Sequence, residues 1–350
     1  MPDDHTLIPP PPPQALLVLP RLRIQHANAI SSPLTWGFPA MTAFVGLLPA
    51  LERRLAGEPE LQLMSVGVVC HGYQAQTARD RYTHRFRLTR NPVDKDGTTA
   101  AIVEEGRIHL EVTLILGVRG TAALAREADS HPATAQRVAD VLAGLRVAGG
   151  SVLPPAPGRA QVPYLAPLPE DDDSVAFRKL RRRWLPGFAL VSCDDLLRGH
   201  HAALRERQPE IDLLDAWLDA SRLNRRAETM PQLDPATGQP LVDVATGEIR
   251  SAVNWTTRRP PGWVVPIPVG YGALQAEAQA PGSVRGARDR RVPFRPVESL
   301  YSLGQWISPH RLHHANDLLW YAEADPEAGL YRCTNHYRPD APAAAGAALI

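Results

Sequence analysis

The sequence predicts an α+β protein whose first half is a ferredoxin-like core, and two observations support this prediction. Apolar runs and strict alternation predict strands, and segments with helical spacing of apolar residues lie between them. Their order is strand, helix, strand, strand and helix, with a later strand at residues 187–192, which is typical of the split βαβ arrangement. Beyond that strand the pattern is less regular, so we expect a second lobe in this chain of 350 residues.

Each element of the predicted core rests on a short pattern. Residues 15–24 combine an apolar run with alternation, which predicts the first strand. Pro39 begins a predicted helix that ends near Leu55, and Pro49 is expected to kink or shorten it because proline lacks a backbone N–H. A second helix is predicted at residues 133–145. The remaining core strands are predicted at residues 61–70, 81–90 and 109–118.

The strand predicted at residues 81–90 has the clearest two-residue alternation in the chain. Tyr82, Phe86 and Leu88 are expected on one face, with arginines and threonines on the other. This alternation is why we place the segment in the core sheet.

The domain organisation follows from changes in composition. The predicted parts are a Pro-rich disordered leader at residues 1–14, the core at 15–192 with a projecting hairpin at about 91–107, an irregular α/β lobe at 193–338 with an insertion at about 231–247, and a frayed tail at 339–350. The insertion carries two Ala-Thr-Gly turns nine residues apart.

Composition and charge exclude several classes of protein. The formal net charge is only +1, which argues against a nonspecific polyanion binder. Of the 38 basic residues only Lys95 and Lys179 are lysines, which leaves 36 arginines, the residue suited to phosphate and to stacking on bases. No apolar run approaches a membrane span, and three scattered cysteines predict neither a disulfide framework nor a zinc site. We therefore expect a protein of the reducing cytoplasm without membrane contact.

A polar loop at residues 25–39 is the first candidate site. It offers amides at Gln25 and Asn28, hydroxyls at Ser31 and Ser32, and an indole at Trp36. Amides and hydroxyls can hydrogen-bond to phosphates and to unpaired bases, and Trp can stack on a base. The alternative is a loop that satisfies its own backbone, with Trp36 as part of the core.

A projecting hairpin is the second candidate. Asp96-Gly97 is a strong hairpin-turn signal, and Arg90, Lys95 and Arg107 flank the turn. A calcium loop is disfavoured because the other ligands are missing at the required spacing. A hairpin with basic flanks is suited to lying across a nucleic-acid strand.

Two arginine clusters could add phosphate contacts. One lies at residues 178–183, and the other includes Arg285, Arg288 and Arg290. Such clusters are also common on solvated faces. The motif Gly149-Gly150-Ser151 would let the backbone approach a phosphate closely.

Catalytic signals are weak. The sequence contains no HExxH, GxSxG, Walker or GxGxxG pattern with suitable flanks. His26 is the only histidine beside the polar loop, and no lysine lies near it in the sequence. We predict no catalytic residues, no metal and no cofactor.

Six segments carry a family resemblance, in a fixed order between residues 15 and 331. They are LPRLRIQHANAISSPLTWGFP, RNPVDKDGTTAAIVEEGRIHLEV, LAGLRVAGGSVLP, RRRWLPGFALVS, GWVVPIPVGYGAL and ISPHRLHHANDLLWY. In them the chain resembles the Csy-type subunit of type I-F CRISPR–Cas surveillance complexes, which belongs to the RAMP superfamily. The leader and residues 231–247 depart from the family pattern.

The resemblance implies a ferredoxin-like core with a thumb hairpin, and a scaffold that binds the 5′ handle of the crRNA. It implies contacts with the large subunit and with the adjacent backbone subunit, and it implies no enzymatic activity. Carried over to this chain, the loop with Gln25, Asn28, Ser31 and Trp36 would hold the handle. The thumb would be residues 91–106, with Arg90 and Arg107 at its base.

Two other functions remain open at the level of the sequence. One is a metal-independent endoribonuclease that processes repeat RNA, with His26 as the general base. The other is an assembly adaptor that contacts only proteins.

Overall fold

The computed structural model describes residues 11–55, 61–90, 93, 96–120, 130–156, 161–168, 174–222, 224–243, 246–258, 262–287 and 289–338. Within these ranges the helices are α1 (Met41–Val45), α2 (Leu47–Leu55), α3 (Ser130–Ala143), α4 (Ser174–Arg181), α5 (Asp194–Arg205), α6 (Leu213–Ser221) and α7 (Ala315–Leu318), with 3₁₀ turns at Arg182–Trp184 and Pro309–Arg311. The strands are β1 (Ala15–Asn28), β2 (Ile30–Ser32), β3 (Thr35–Trp36), β4 (Gln62–Ala75), β5 (Thr77–Asp80), β6 (Thr83–Phe86), β7 (Leu88–Arg90), β8 (Ile102–Glu104), β9 (Arg107–Arg119), β10 (Arg146–Val147), β11 (Gly150–Leu153), β12 (Tyr164–Pro167), β13 (Phe188–Ser192), β14 (Asn224–Pro231), β15 (Ser251–Arg258), β16 (Trp263–Ala273), β17 (Val297–Ile307), β18 (Trp320–Asp325) and β19 (Leu330–Asn335). The first ten residues of the predicted leader and the predicted tail lie outside the described residues.

One 11-stranded sheet organises the larger of two compact units. Its strands lie in the order β10-β11-β1-β9-β4-β13-β17-β16-β19-β18, and β12 pairs with β1. β18 also pairs with β4, where Trp320 lies opposite Val66. The strands from β4 to β18 therefore form a closed ring, and β4 joins that ring to β9 and β1.

β9 is the strand on which the first half is built. It pairs with β1 from Ala15↔Val118 to Asn28↔Arg107, and with β4 on its other side. The start of β1 is buried on both faces, because Leu17 belongs to one apolar cluster and Leu16 to the other. Each such side chain contributes about 1.5–3 kcal/mol when it is buried, so the register of β1 against β9 is strongly specified.

Helices α1, α2 and α3 cover one face of this sheet. The predicted apolar stripe is buried, and it consists of Phe44, Leu47, Leu48, Leu51 and Leu55. The helix is interrupted at Gly46, as the prediction of a kink or shortening requires. Pro49 itself lies in the first turn of α2, where backbone N–H groups have no partner within the helix and the missing N–H costs little.

The last predicted core strand occupies a different place in the sheet. β13 is present at the predicted residues, but it pairs with β4 and β17, on the side of β4 away from β1. The position beside β1 is taken by β11, which follows α3 after the short strand β10. The predicted placement was wrong because strand patterns do not specify the pairing partner.

The strand predicted at residues 81–90 is not part of the main sheet. The segment instead divides between β6 and β7, which pair with β5 and β8 in two small sheets. Tyr82 is 97% exposed and Leu88 is 68% exposed. The alternation belongs to a solvated projection between β4 and β9, here called the ribbon (β5 to β8), so the core-strand prediction was wrong.

The last residues of the predicted leader make hydrogen bonds to the core. Gln14 donates its backbone N–H to Val118 O at 2.9 Å, and Gln14 O accepts the N–H of Leu168. Arg119 Nη1 lies 2.6 Å from Pro12 O. Gln14 therefore continues β1 between β9 and the end of β12, which corrects the prediction of a disordered segment up to residue 14.

The chain divides differently from the predicted two halves. The residues described from Val265 onward belong to the same compact unit as those up to Cys193, and the second unit comprises the described part of 194–264. The first unit breaks off at Cys193 and resumes at Val265, so the residues described after Val265 are not part of the second unit. The reason is that β17, β18 and β19 complete the ring that begins at β4.

The second unit contains α5, α6 and a long two-stranded arm. The arm pairs β14 with β15 from Asn224↔Arg258 to Pro231↔Ser251. The two helices are linked by His200 Nε2, which lies 2.9 Å from Asp219 Oδ2, and both residues are buried.

The predicted insertion at residues 231–247 forms a three-way junction at the end of the arm. Gln232 N–H donates to Arg250 O, Leu241 N–H to Gln232 O, and Arg250 N–H to Leu241 O, each at 2.8 Å. Two short hairpins extend from this ring of hydrogen bonds, one with Gly238 and the other with Gly247 in its turn. The turns are nine residues apart because the junction residues Gln232, Leu241 and Arg250 are also nine residues apart.

His71 connects β4, β9 and the loop before β13. Its Nδ1 lies 2.7 Å from Pro186 O, and its Nε2 lies 2.7 Å from Thr113 Oγ1. A carbonyl oxygen can only accept, so Nδ1 carries the proton and Nε2 accepts from the threonine hydroxyl. Burial lowers the pKa of His71 from the ordinary 6.5, and Arg21 lowers it further.

We expect this histidine to make stability depend on pH. Because its pKa is lowered by folding, the unfolded chain binds more protons just below pH 6.5. The stabilising contribution is therefore present above that pH and is lost as the pH falls toward the folded value. Thermal unfolding of wild type and of His71→Gln should show lower stability of the variant at alkaline pH and a flatter dependence on pH. The exposed His310→Gln is the matched control, and a wild-type pH dependence in His71→Gln would contradict the assignment.

Candidate functional site

Two of the predicted RNA-binding residues line one open cleft. Asn28 and Ser31 share a cavity of about 480 Å³ with Arg146, Gly149 and Tyr271. The remaining wall consists mainly of small side chains from α1 and the start of α2. The cleft therefore lies where the end of β1, the first helices and the β10–β11 turn meet.

The β10–β11 turn is held tightly against β1. Ala148 and Gly149 both have positive φ angles, 48° and 78°, which is typical of a two-residue type I′ hairpin. Asn28 N–H donates to Ala148 O at 2.8 Å. At Gly150 a Cβ would lie 2.8 Å from Ala27 N, so only glycine allows this approach. The predicted Gly149-Gly150-Ser151 motif thus brings backbone groups to the cleft.

Asn28 also organises the loop that follows it. Its side-chain amide donates to Ile30 O at 2.8 Å, and its Oδ1 accepts the N–H of Ile30 at 3.1 Å. The second amide N–H remains for a ligand. The predicted role in RNA binding stays a prediction, and Asn28 has a structural role beside it.

The two predicted serines differ in their surroundings. Ser32 is buried, and its hydroxyl lies 2.7 Å from Thr35 Oγ1 and accepts the N–H of Thr35. Ser31 faces the cleft, with its hydroxyl 2.8 Å from Thr35 Oγ1. The structure therefore gives Ser32 a place in the β2–β3 turn and leaves Ser31 as the better placed of the two for a ligand.

Trp36 is a surface residue. It is 55% exposed, and its ring makes an edge-to-face contact with Phe86 of the ribbon, with ring centroids 5.7 Å apart. The alternative that Trp36 is part of the core is therefore wrong. The indole keeps a free area that can stack on a base.

Gln25 lies in β1 rather than in a loop, because that strand continues to Asn28. It lines a separate cavity of about 380 Å³ together with Arg23, Tyr73 and His109. The structure therefore does not bring Gln25 into the cleft of Asn28 and Ser31.

His26 and His109 form a close pair next to this second cavity. Their ring centroids are 4.7 Å apart, and His109 Nδ1 accepts the backbone N–H of His26 at 3.1 Å. Burial lowers the pKa of His109, and the neighbouring His26 lowers it further. Among the residues that the structure describes, no group of three His, Cys, Asp or Glu side chains is placed to hold a metal ion.

The basic residues in the ribbon and at its base differ in whether an acidic side chain pairs with them. Arg90 is exposed, and the described part of the chain contains no ion pair to it. Arg107 Nη2 lies 2.7 Å from Glu105 Oε2, so its charge is already paired. The Asp96-Gly97 turn is present, with Thr98 bonded to Asp96 Oδ1. Lys95 lies outside the described residues.

The second arginine cluster lies on the segment after β16. Arg285 is exposed, and Arg290 Nη2 donates to Gly282 O at 3.3 Å. Asp289 forms a salt bridge with Arg291. Arg288 lies outside the described residues, and the role of all three predicted arginines in RNA binding stays a prediction.

The sequence reasoning missed two residues of the cleft. Arg146 begins β10, two residues before the Ala148–Gly149 turn, and the glycine motif was the signal that could have indicated it. Tyr271 comes from β16, more than 240 residues after Asn28, and no local pattern connects the two.

Comparison with known proteins identifies a family model and a relative that the chain resembles. Residues 17–333 match the family model described as CRISPR-associated protein (Cas_Csy2). A "CRISPR-associated protein Csy2" from Pseudomonas aeruginosa (strain UCBPP-PA14) is 48% identical over 330 residues, which cover 91% of this chain and 95% of that protein. In the described part of the chain, no helix is both long and apolar enough to span a membrane.

The exposure of Trp36 leads to a test that separates binding from folding. Trp36→Ala should lower the melting temperature only moderately, because Trp36 is 55% exposed and its ring contacts Phe86 at the surface. The free energy of RNA binding should become less favourable by about 1–3 kcal/mol if a base stacks on the ring. The control is Trp184→Ala, which removes a residue that is 1% exposed and should cost about 3–5 kcal/mol of stability. A large loss of stability in Trp36→Ala without an effect specific to RNA would contradict this assignment.

Proposed function

The chain belongs to the CRISPR-associated Csy2 family of type I-F CRISPR–Cas complexes, and on this premise we propose that it is a non-catalytic subunit that binds the 5′ handle of the crRNA. In this role it caps one end of the guide in antiviral defence, in the cytoplasm. The proposal is supported by the cleft at the end of β1, where polar side chains and exposed backbone meet.

We propose that the core is the ferredoxin-like fold of the RAMP superfamily. The strand order β11-β1-β9-β4 supports this, because α1 and α2 follow β1 while α3 follows β9. This is the connectivity of a split βαβ unit. The ribbon, inserted in sequence between the neighbouring strands β4 and β9, would contain the predicted thumb hairpin.

The observation that carries the proposed function is the position of the Gly149-Gly150 turn against Asn28. Single-stranded RNA is recognised by stacking and by hydrogen bonds to the edges of unpaired bases. The cleft offers an amide at Asn28, a hydroxyl at Ser31 and a guanidinium at Arg146. Trp36 and Arg90 are exposed on neighbouring segments that can extend the contact along a strand.

We propose two protein partners, the large subunit of the complex and the adjacent backbone subunit. Exposed aromatic residues support an interface role for the second unit, where Trp255 is 59% exposed. The adaptor function, in which the chain contacts only proteins, is the outcome if RNA is not retained.

A second candidate function is supported by one observation, the pairing of His26 with His109. Two imidazoles can act as general base and general acid in a metal-independent ribonuclease. The cavity beside them also contains Arg23 and Tyr73, so an anionic group could be accommodated.

Incubation of the full chain with repeat RNA, alone and with the large subunit, distinguishes these functions. We expect retention of RNA that contains the 5′ handle, with no cleavage at neutral pH. His26→Ala and His109→Ala should retain the same RNA and should also leave it uncleaved. Cleavage by wild type that either variant abolishes would establish the ribonuclease, and failure of the pair to retain RNA would favour the adaptor.

The dependence of RNA binding on salt tests the ribbon. Arg90→Ala should weaken retention and reduce the logarithmic salt slope by roughly 0.7, the value for one phosphate contact on a single strand. Arg107→Ala is the matched comparison, and we expect a smaller change because its guanidinium already pairs with Glu105. Equal slopes for wild type and Arg90→Ala would show that Arg90 is only solvated.

A further inference from the structure

Tyr271 forms one wall of the cleft that contains Asn28 and Ser31. Its side chain comes from β16 and is 40% exposed. An exposed aromatic ring next to an amide, a hydroxyl and a guanidinium is a combination that single-stranded nucleic-acid sites use repeatedly.

A second tyrosine packs against this ring. Tyr331 lies directly opposite Tyr271 in the β16–β19 ladder, with ring centroids 6.4 Å apart and an interplanar angle of 29°. Burial raises the pKa of Tyr331 to about 12, so this phenol stays neutral. The two rings form a nearly parallel pair, in which Tyr331 is partly buried and Tyr271 is presented at the cleft.

The β10–β11 turn supplies polar groups to the same cleft. Arg146 Nη1 donates to Gly149 O at 3.2 Å, which keeps the guanidinium next to the cleft. Gly149 has open space where a side chain would be, so a ligand can approach its backbone. Asn28 still has one amide N–H that none of the described residues accepts.

The size of the cleft fits a small planar group and its phosphate. Its volume of about 480 Å³ lies within the roughly 300–1,000 Å³ that small-ligand pockets occupy. The small side chains of α1 and α2 leave this space open, and Thr42 adds a hydroxyl.

We propose that this cleft binds one unpaired nucleotide of a single-stranded RNA, with the base stacked on Tyr271 and the phosphate at Arg146. The inference rests on the proposed function and adds to it a residue that determines specificity. Asn28 reads an edge of the stacked base, and the backbone at Ala148–Gly149 follows the sugar and phosphate. The nucleotide is thus held apart from the bases that stack on Trp36.

The test combines variants of the full chain with RNA that contains the 5′ handle and lacks one base at a time. Tyr271→Ala and Tyr271→Leu should reduce affinity about 5- to 150-fold, the range for loss of one base–aromatic stack. Tyr271→Phe keeps the ring and should remain close to wild type. Melting temperatures of all three variants show whether each is folded.

A double-mutant cycle identifies the base. In wild type, removal of one particular base should lower the affinity for RNA about as much as Tyr271→Ala does. In Tyr271→Ala, removal of the same base should lower the affinity no further. Removal of a base at any other position should lower the affinity of both proteins by the same factor. If no position is coupled to Tyr271 while wild type retains RNA, the inference fails and the proposed function stands. If wild type retains no RNA with its large subunit, the proposed function fails first.

A free nucleotide is the other source of the same chemistry. A nucleoside 5′-monophosphate should bind much more weakly than the RNA strand, because it lacks the contacts with neighbouring nucleotides. A monophosphate that binds as tightly as the RNA would assign the cleft to a small-molecule ligand and overturn the proposal.

Discussion

The pairing of β1 with β9 is the constraint on which the candidate site depends. Ala15 to Leu19 have no solvent exposure, and their side chains enter the two apolar clusters on opposite faces of the sheet. A shift by one residue would move each of these side chains into the wrong cluster. With that start fixed, β1 contains two bulges before it reaches Asn28, one between Leu19 and Leu22 and one between Ile24 and Ala27. The bulges re-aim the strand, and the second one turns His26 toward His109.

The sequence predicted best those elements whose apolar residues repeat regularly and whose apolar face packs against other elements. The strands at β1, β4 and β9 and the helices α1 to α3 fall in this class, because burial and pattern agree there. The failure at residues 81–90 has the opposite cause. Alternation shows that a segment is extended, but it does not show whether anything covers its apolar side, and Tyr82 is almost fully exposed. The position of β13 and the return of β17 to β19 were not predictable, since strand pairing across a hundred residues or more leaves no local pattern.

The same distinction applies to the site. Asn28, Ser31 and Trp36 could be selected because short polar and aromatic residues in an irregular stretch are exceptional in a core. What their side chains already contact could not be predicted. Ser32 and Arg107 have the right chemistry for a phosphate, but each is committed within the chain, to Thr35 and to Glu105. Tyr271 shows the converse, because only the closed ring of strands brings it next to a turn that begins near residue 146.

The three-way junction at the end of the arm has a consequence for how this part of the gene can change. Gln232, Leu241 and Arg250 are spaced by nine residues, and each supplies one donor and one acceptor to the ring. A single inserted or deleted codon at the tip of either hairpin would change the length of an exposed turn and leave the same three residues at the junction. Loss of nine codons would remove one whole hairpin and leave an ordinary two-stranded ribbon. A change of nine codons therefore alters the number of hairpins that meet at the junction, whereas a smaller change at an exposed turn alters only the length of one hairpin.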